Sequence, residues 1–223
     1  AKIARYRLRV RPDRTFEVPG LDHAPPPQIA VPTTLSAGEY THLIGVTDEA
    51  RRAKDIFADP RLAPRRILLD PEVCAATPRW LWAASGLRAV DHAVEAIYSV
   101  RRQPATDALA LLALEMLFRD LPASADDPAD LGRRGRCQVA AWLSMFGRAN
   151  LMPGLSHGLG HILAARCNVV HGHTSSVMLP HVMEYSLPGT VPQQARMARA
   201  MGVPADLSDP EAGALARRRL APF

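Results

Sequence analysis

Two hydrophobic patterns divide the chain. Up to about residue 70, apolar residues come in short runs broken by proline, glycine and hydroxyl side chains; from about residue 78 they recur at helical spacing. In the first part, residues 28–32 read as a strand ending in a loop, and residues 43–46 and 66–69 as further short strands, the last stopped by Asp70-Pro71. Residues 1–10 read as the end of a helix, and Pro25-Pro26-Pro27 as a rigid lead into the first strand. In the second part, residues 80–99, 106–121, 137–150 and 155–166 predict helices, with 177–185 and 193–201 continuing the pattern. Thr106-Asp107 and Ser156 have the chemistry of helix starts. Periodicity fades after Ala212, in Arg217-Arg218-Arg219, and no internal repeat is present. The expected class is α/β plus all-α, with a partial α/β domain over residues 1–78 and a helical domain over residues 79–223.

Composition narrows the partners. With 223 residues, 48% hydrophobic and 22% charged, the chain can bury a core as one domain or two small ones. No apolar run approaches the roughly 20 residues of a membrane span, so no membrane partner is expected. Aromatics at 5% argue against a stacking platform for single-stranded nucleic acid. The net charge of +5 rests almost wholly on arginine, Lys2 and Lys54 being the only lysines. Its scatter in pairs such as Arg51-Arg52 and Arg133-Arg134 lacks the stripe a nucleic-acid binder concentrates, so no nucleic-acid partner is expected either. Cys74, Cys137 and Cys167 show no CxxC spacing and no disulfide framework, which fits a cytoplasmic, reducing compartment.

Histidines carry the chemistry. Five of eight lie between His157 and His181. His157 and His161, four apart, project from one helix face, and His171 follows a short connection that Gly172 is expected to turn. Imidazoles on paired helices build transition-metal sites or proton relays, against the plainer reading of hydrogen-bonded core residues. His173 and His181 read as supporting or structural. Arg88, His92 and Glu95 share another helix face, readable either as an exposed face with an Arg88–Asp91 ion pair or as the wall of a cleft facing His157. The Pro32-Thr33-Thr34 loop after the first strand could touch a cofactor's ribose or phosphate, or be an ordinary turn.

These segments together resemble the iron-containing (group III) alcohol dehydrogenases, most closely their maleylacetate reductase branch. The resemblance is carried by Val31-Pro-Thr-Thr-Leu-Ser-Ala-Gly-Glu39, Leu69-Asp-Pro-Glu72, Gly86-Leu-Arg-Ala-Val-Asp-His-Ala-Val-Glu95, Gly154-Leu-Ser-His-Gly-Leu-Gly-His161 with His171-Gly172, and Leu179-Pro-His-Val-Met183. It implies a dehydroquinate-synthase-like two-domain fold that binds NADH or NADPH on the α/β domain and reacts in the cleft beside the helical domain. It implies that His92, His157 and His171 match three of the four ligands of a catalytic metal, iron or zinc. His161 matches a further cleft histidine able to transfer a proton, and Thr33 and Thr34 match the loop touching the dinucleotide.

Three departures shape the expected chemistry. The fourth ligand position, normally aspartate, is Arg88, which cannot ligate a metal because it stays protonated and has no lone pair. Two unit charges about 5 Å apart at an effective dielectric near 20 repel by about 3 kcal/mol, so metal-free use is favoured. The family's glycine-rich phosphate loop is not seen before Lys2, and the later helices of the family are not matched after Ala212, so the chain reads as a fragment. The leading reading is an NAD(P)H-dependent oxidoreductase of maleylacetate reductase type, acting on an unsaturated or keto dicarboxylate in the breakdown of aromatic compounds. In it His161 or His171 serves as general acid, His92 and His157 position the substrate or the acid, and Arg88 clamps a substrate carboxylate. The alternatives are a metal-dependent alcohol dehydrogenase using His92, His157 and His171, and a non-catalytic truncated remnant. A homodimer is allowed.

Overall fold

A helix that is buried nearly all round must be wrapped by other elements. In the computed structural model, which describes residues 3–13, 15–51, 53–147, 151, 154–167, 169 and 171–220, that helix is α2 (Arg79–Tyr98), buried almost continuously from Ala84 to Ile97. Small residues at Ala84, Gly86, Ala89, Ala93 and Ala96 let neighbours approach closely. At Gly86 an added Cβ would meet Leu121 at 2.5 Å, which fixes how near α3 (Pro104–Asp126) can lie. α4 (Leu131–Met145) and α6 (His171–Ala200) complete the wrapping of α2. α5 (Leu155–Cys167) packs on α6, and α7 (Asp209–Ala216) closes the far end of α6. One core joins them, with Trp82, Ile97, Leu114, Leu117, Leu121, Met183 and Met197 fully buried.

Trp82 shows how polar groups enter that core. Its Nε1–H donates to Ser124 Oγ at 3.0 Å, and the buried Arg134 guanidinium lies 4.3 Å over its ring. Arg134 also donates to the Cys74 carbonyl at 2.5 Å, which ties α4 to α1 (Pro71–Ala75). Asp70-Pro71 therefore does more than stop a strand. The Asp70 side chain accepts from the Glu72 and Val73 N–H groups, and Pro71 occupies the first turn where its missing N–H costs nothing.

The first part is strand-poor. β1 (Arg9–Val10) and β2 (Phe16–Glu17) pair antiparallel, β3 (Ile29–Ala30) and β6 (Arg66–Ile67) pair parallel, and β4 (Leu43–Asp48) and β5 (Ala53–Ala58) form a hairpin with Gly45 opposite Ile56. β5 escapes the hydrophobic pattern because Lys54 and Asp55 interrupt its apolar residues. The expected N-terminal helix end is only a single 3-10 turn, Ala4–Tyr6, ahead of β1.

One helical expectation holds and another is revised. Residues 177–185 and 193–200 fall on the two helical arms of α6, which is broken at Thr190 (φ −137°, ψ 22°) between Pro188 and Pro192. Gln194 bridges the kink by donating to the Met183 carbonyl at 2.6 Å. Beyond Ala212, where the periodicity fades, α7 still forms: Ser208 and Glu211 exchange the hydrogen bonds of a capping box. Among the described residues, no helix is long and apolar enough to cross a membrane.

Candidate active site

A polar stripe on a buried helix has to find its partners on other elements. On α2 that stripe is Arg88, Asp91, His92 and Glu95, spaced so that all four share one face, and all four are buried. The face meets the first turns of α5 and α6, so it is the wall of an internal site and not the exposed face that its charges alone allow.

Glu95 receives α5. Its Oε1 accepts the backbone N–H of His157 at 2.8 Å, placing a carboxylate at a helix N-terminus, where the exposed N–H groups and the helix dipole favour negative charge. Its Oε2 lies 3.5 Å from His157 Nδ1. The approach depends on Gly154, where a Cβ would fall 2.5 Å from Glu95 Oε1.

Arg88 joins three helices. Its Nη1 donates to Asp91 Oδ2 at 3.0 Å and to Ser175 Oγ, on α6, at 2.7 Å; Ser175 in turn donates to Asp91 at 2.8 Å. Its Nη2 lies 2.6 Å from His157 Nε2. A guanidinium only donates, so His157 Nε2 accepts, and the ring's proton sits on Nδ1, on the side of Glu95. Burial and the neighbouring Glu95 charge push the Asp91 carboxyl upward, against the pull of Arg88 and Ser175. Arg88 is 4% exposed, so a substrate carboxylate could take its fork only by displacing Asp91 and Ser175. This geometry does not suit the expected carboxylate clamp.

The imidazoles lie in a row. His92 and His157 have ring centroids 5.5 Å apart, and His157 and His161 5.0 Å. His171 opens α6, but its side chain lies outside the described residues, as does Lys2. Gly172 is ordinary helix, not a tight turn; its lack of a side chain serves close packing on α2. His173 lies beside Trp80, with centroids 5.7 Å apart, and His181 is exposed on α6.

The loop after β3 is fastened to α2 and to the turn that precedes it. The Leu35 N–H donates to Ser85 Oγ at 3.0 Å, and Thr77 Oγ1 donates to the Thr33 carbonyl at 2.7 Å. Ser85 precedes His92 by seven residues, about 10 Å along the α2 axis. Thr33 is exposed, and Thr34 Oγ1 and Ser36 Oγ are 3.1 Å apart. Hydroxyls at the carboxyl end of a parallel strand fit the ribose or phosphate of a dinucleotide. A divalent metal does not fit His157 as placed, because Arg88 Nη2 takes the Nε2 lone pair through which a metal would bind. Sequence spacing missed Ser175; its only local signal is its place four residues after His171, one helical turn on.

In its fold, the chain is of the dehydroquinate-synthase-like class to which the iron-containing alcohol dehydrogenase structures belong. The chain belongs to the Fe-containing alcohol dehydrogenase family, whose C-terminal domain matches residues 82–221. It is 35% identical over 176 residues to maleylacetate reductase 2 of Cupriavidus pinatubonensis, covering 79% of this chain and 48% of that protein. Among solved structures it is similar to 1,3-propanediol oxidoreductase, with a TM-score of 0.84 at 31% identity over 91% of this chain and 53% of that one. It is also similar to maleylacetate reductase from a Rhizobium species, with a TM-score of 0.75 at 28% identity over 87% and 54%. The chain thus spans about half the length of these relatives.

Proposed function

We propose that this chain supplies the helical side of the reaction site of an NAD(P)H-dependent reductase, acting on an unsaturated or keto dicarboxylate as the maleylacetate reductases' name describes. The observation that carries this reading is the row His92–His157–His161 on two packed helices, held about 10 Å along α2 from the anchor of the Thr33–Thr34 loop. When bound, NAD(P)H supplies a hydride to an electron-poor carbon of the substrate. Thr33 and Thr34 hold its hydroxyl or phosphate groups. His161, less buried than His92, donates the proton that completes the two-electron reduction, since an imidazole exchanges protons near neutral pH. His171, across the α5–α6 connection, is the second candidate donor. His157 receives Arg88 at Nε2 and is a positioning group, and His92 backs it.

The test is NADH oxidation by the full chain with maleylacetate as acceptor. His161→Ala should lower kcat by about 10²–10⁴-fold with KM and the circular dichroism spectrum little changed. An unaltered rate removes the role. Stoichiometric iron or zinc that supports turnover would replace this reading by the metal-dependent alcohol dehydrogenase.

A further inference from the structure

We propose that the Arg88 guanidinium is a built-in cation in this chain: it holds the Nε2 lone pair of His157, fixes that ring as the Nδ1–H tautomer facing Glu95, and keeps divalent metals off His157. The reading of the cleft as a reaction site gives this device its purpose, but its physical content is independent of that reading.

Four observations support it. First, Arg88 Nη2 lies 2.6 Å from His157 Nε2, and the donor must be Arg88. A metal on that nitrogen would sit about 2.0–2.1 Å away along the same lone pair, so the two occupants exclude each other. Second, the guanidinium is fixed from two other sides, by Asp91 on its own helix and by Ser175 on α6, and is almost wholly buried. Third, the ring is oriented from its other edge: Glu95 Oε2 faces Nδ1 at 3.5 Å while Oε1 is held by the His157 backbone N–H at 2.8 Å. Fourth, Asp91 and Arg88 occur together one helical turn apart, so the charge that a carboxylate would bring to a metal instead neutralises the arginine. A guanidinium keeps its charge across the working pH range and does not dissociate, whereas a bound metal exchanges. The family's name records iron; in this chain the cation at His157 is part of the polypeptide. Arg88 acts through His157 and is therefore a positioning residue.

The experiment reads the ring and the metal separately from activity. Long-range proton–nitrogen correlation spectra of the histidine-labelled full chain should show His157 with Nδ1 protonated and Nε2 bare, assigned by loss of the signal in His157→Ala. Titration with zinc chloride should give no uptake that His157→Ala abolishes. The double variant Arg88→Asp with Asp91→Asn removes the guanidinium and supplies a carboxylate, and it should gain about one equivalent of zinc, lost again when His157→Ala is added. A proton on Nε2 of wild-type His157, or tight zinc binding by the wild type that needs His157, overturns the proposal. The tautomer measurement needs no folded double variant. A chain that shows the expected tautomer and excludes zinc but never oxidises NADH refutes the proposed function alone.

Discussion

Gly172, in the first turn of α6, lies so close to the Ala84 carbonyl of α2 that an added Cβ would stand 2.9 Å from that oxygen. The contact is backbone against side chain, with no flexible end to yield. Gly172→Ala must therefore move α6 away from α2, and Ser175 one turn later moves with it. We expect a loss of about 1–3 kcal/mol in stability, read as a lowered urea midpoint at unchanged slope. NADH oxidation should fall as well, because Ser175 loses its place between Arg88 and Asp91.

Glu95 joins two jobs that a pair of variants separates. Glu95→Gln keeps an oxygen for the His157 N–H but loses the charge facing Nδ1, so stability should fall by about 1 kcal/mol or less. Glu95→Ala also leaves the α5 N-terminus without its carboxylate and opens a void beside Gly154, at a cost of about 2–3 kcal/mol. Thermal unfolding of the two variants checks the ordering.

Acid should act through Asp120. Burial alone would raise its carboxyl, but hydrogen bonds from Arg136 and Arg119 hold it below its ordinary value of 3.8. A depressed carboxyl adds stability that is fully present above the unfolded value and is lost as pH falls through the folded one. The melting temperature should therefore drop more steeply below about pH 4 in wild type than in Asp120→Asn. Parallel curves for the two proteins would contradict this.

The cysteines should differ sharply in reactivity. Burial pushes the Cys74 and Cys137 thiols up to about 11, while Cys167 is exposed at the end of α5. At pH 8 the buried pair stays protonated and shielded, so a chromogenic disulfide should label one thiol quickly in the native protein and all three in denaturant. Cys167→Ser should abolish the fast phase.

Trp82→Phe keeps an aromatic face under Arg134 but loses the Nε1–H donor to Ser124 and the larger indole quadrupole. The expected loss is about 1–2 kcal/mol, measurable by urea denaturation.

Much of this was legible in the residues themselves. Helical spacing marked out α2 and α5 almost to the residue and α3 and α4 only in part, since α3 runs on to Asp126 and α4 already starts at Leu131 and stops at Met145. It placed His157 beside His161, and Arg88, His92 and Glu95 on one face. Such features are local: a helix's period is written along its own segment. Where local chemistry misled, a distant group had intervened. Gly172 read as a turn but serves a contact with Ala84.

What sequence alone determined, then, was which side chains ride together on each helix. Only the tertiary structure decided that the α2 stripe is buried, that Ser175 joins Arg88 and Asp91 across 87 and 84 residues, and that Arg88 reaches His157 across 69. The physical reason is that a guanidinium is indifferent in sequence to whether it faces water, a substrate or an imidazole. Its role is set by which lone pairs the packing of other helices brings within 3 Å, and no periodicity along the chain encodes that distance.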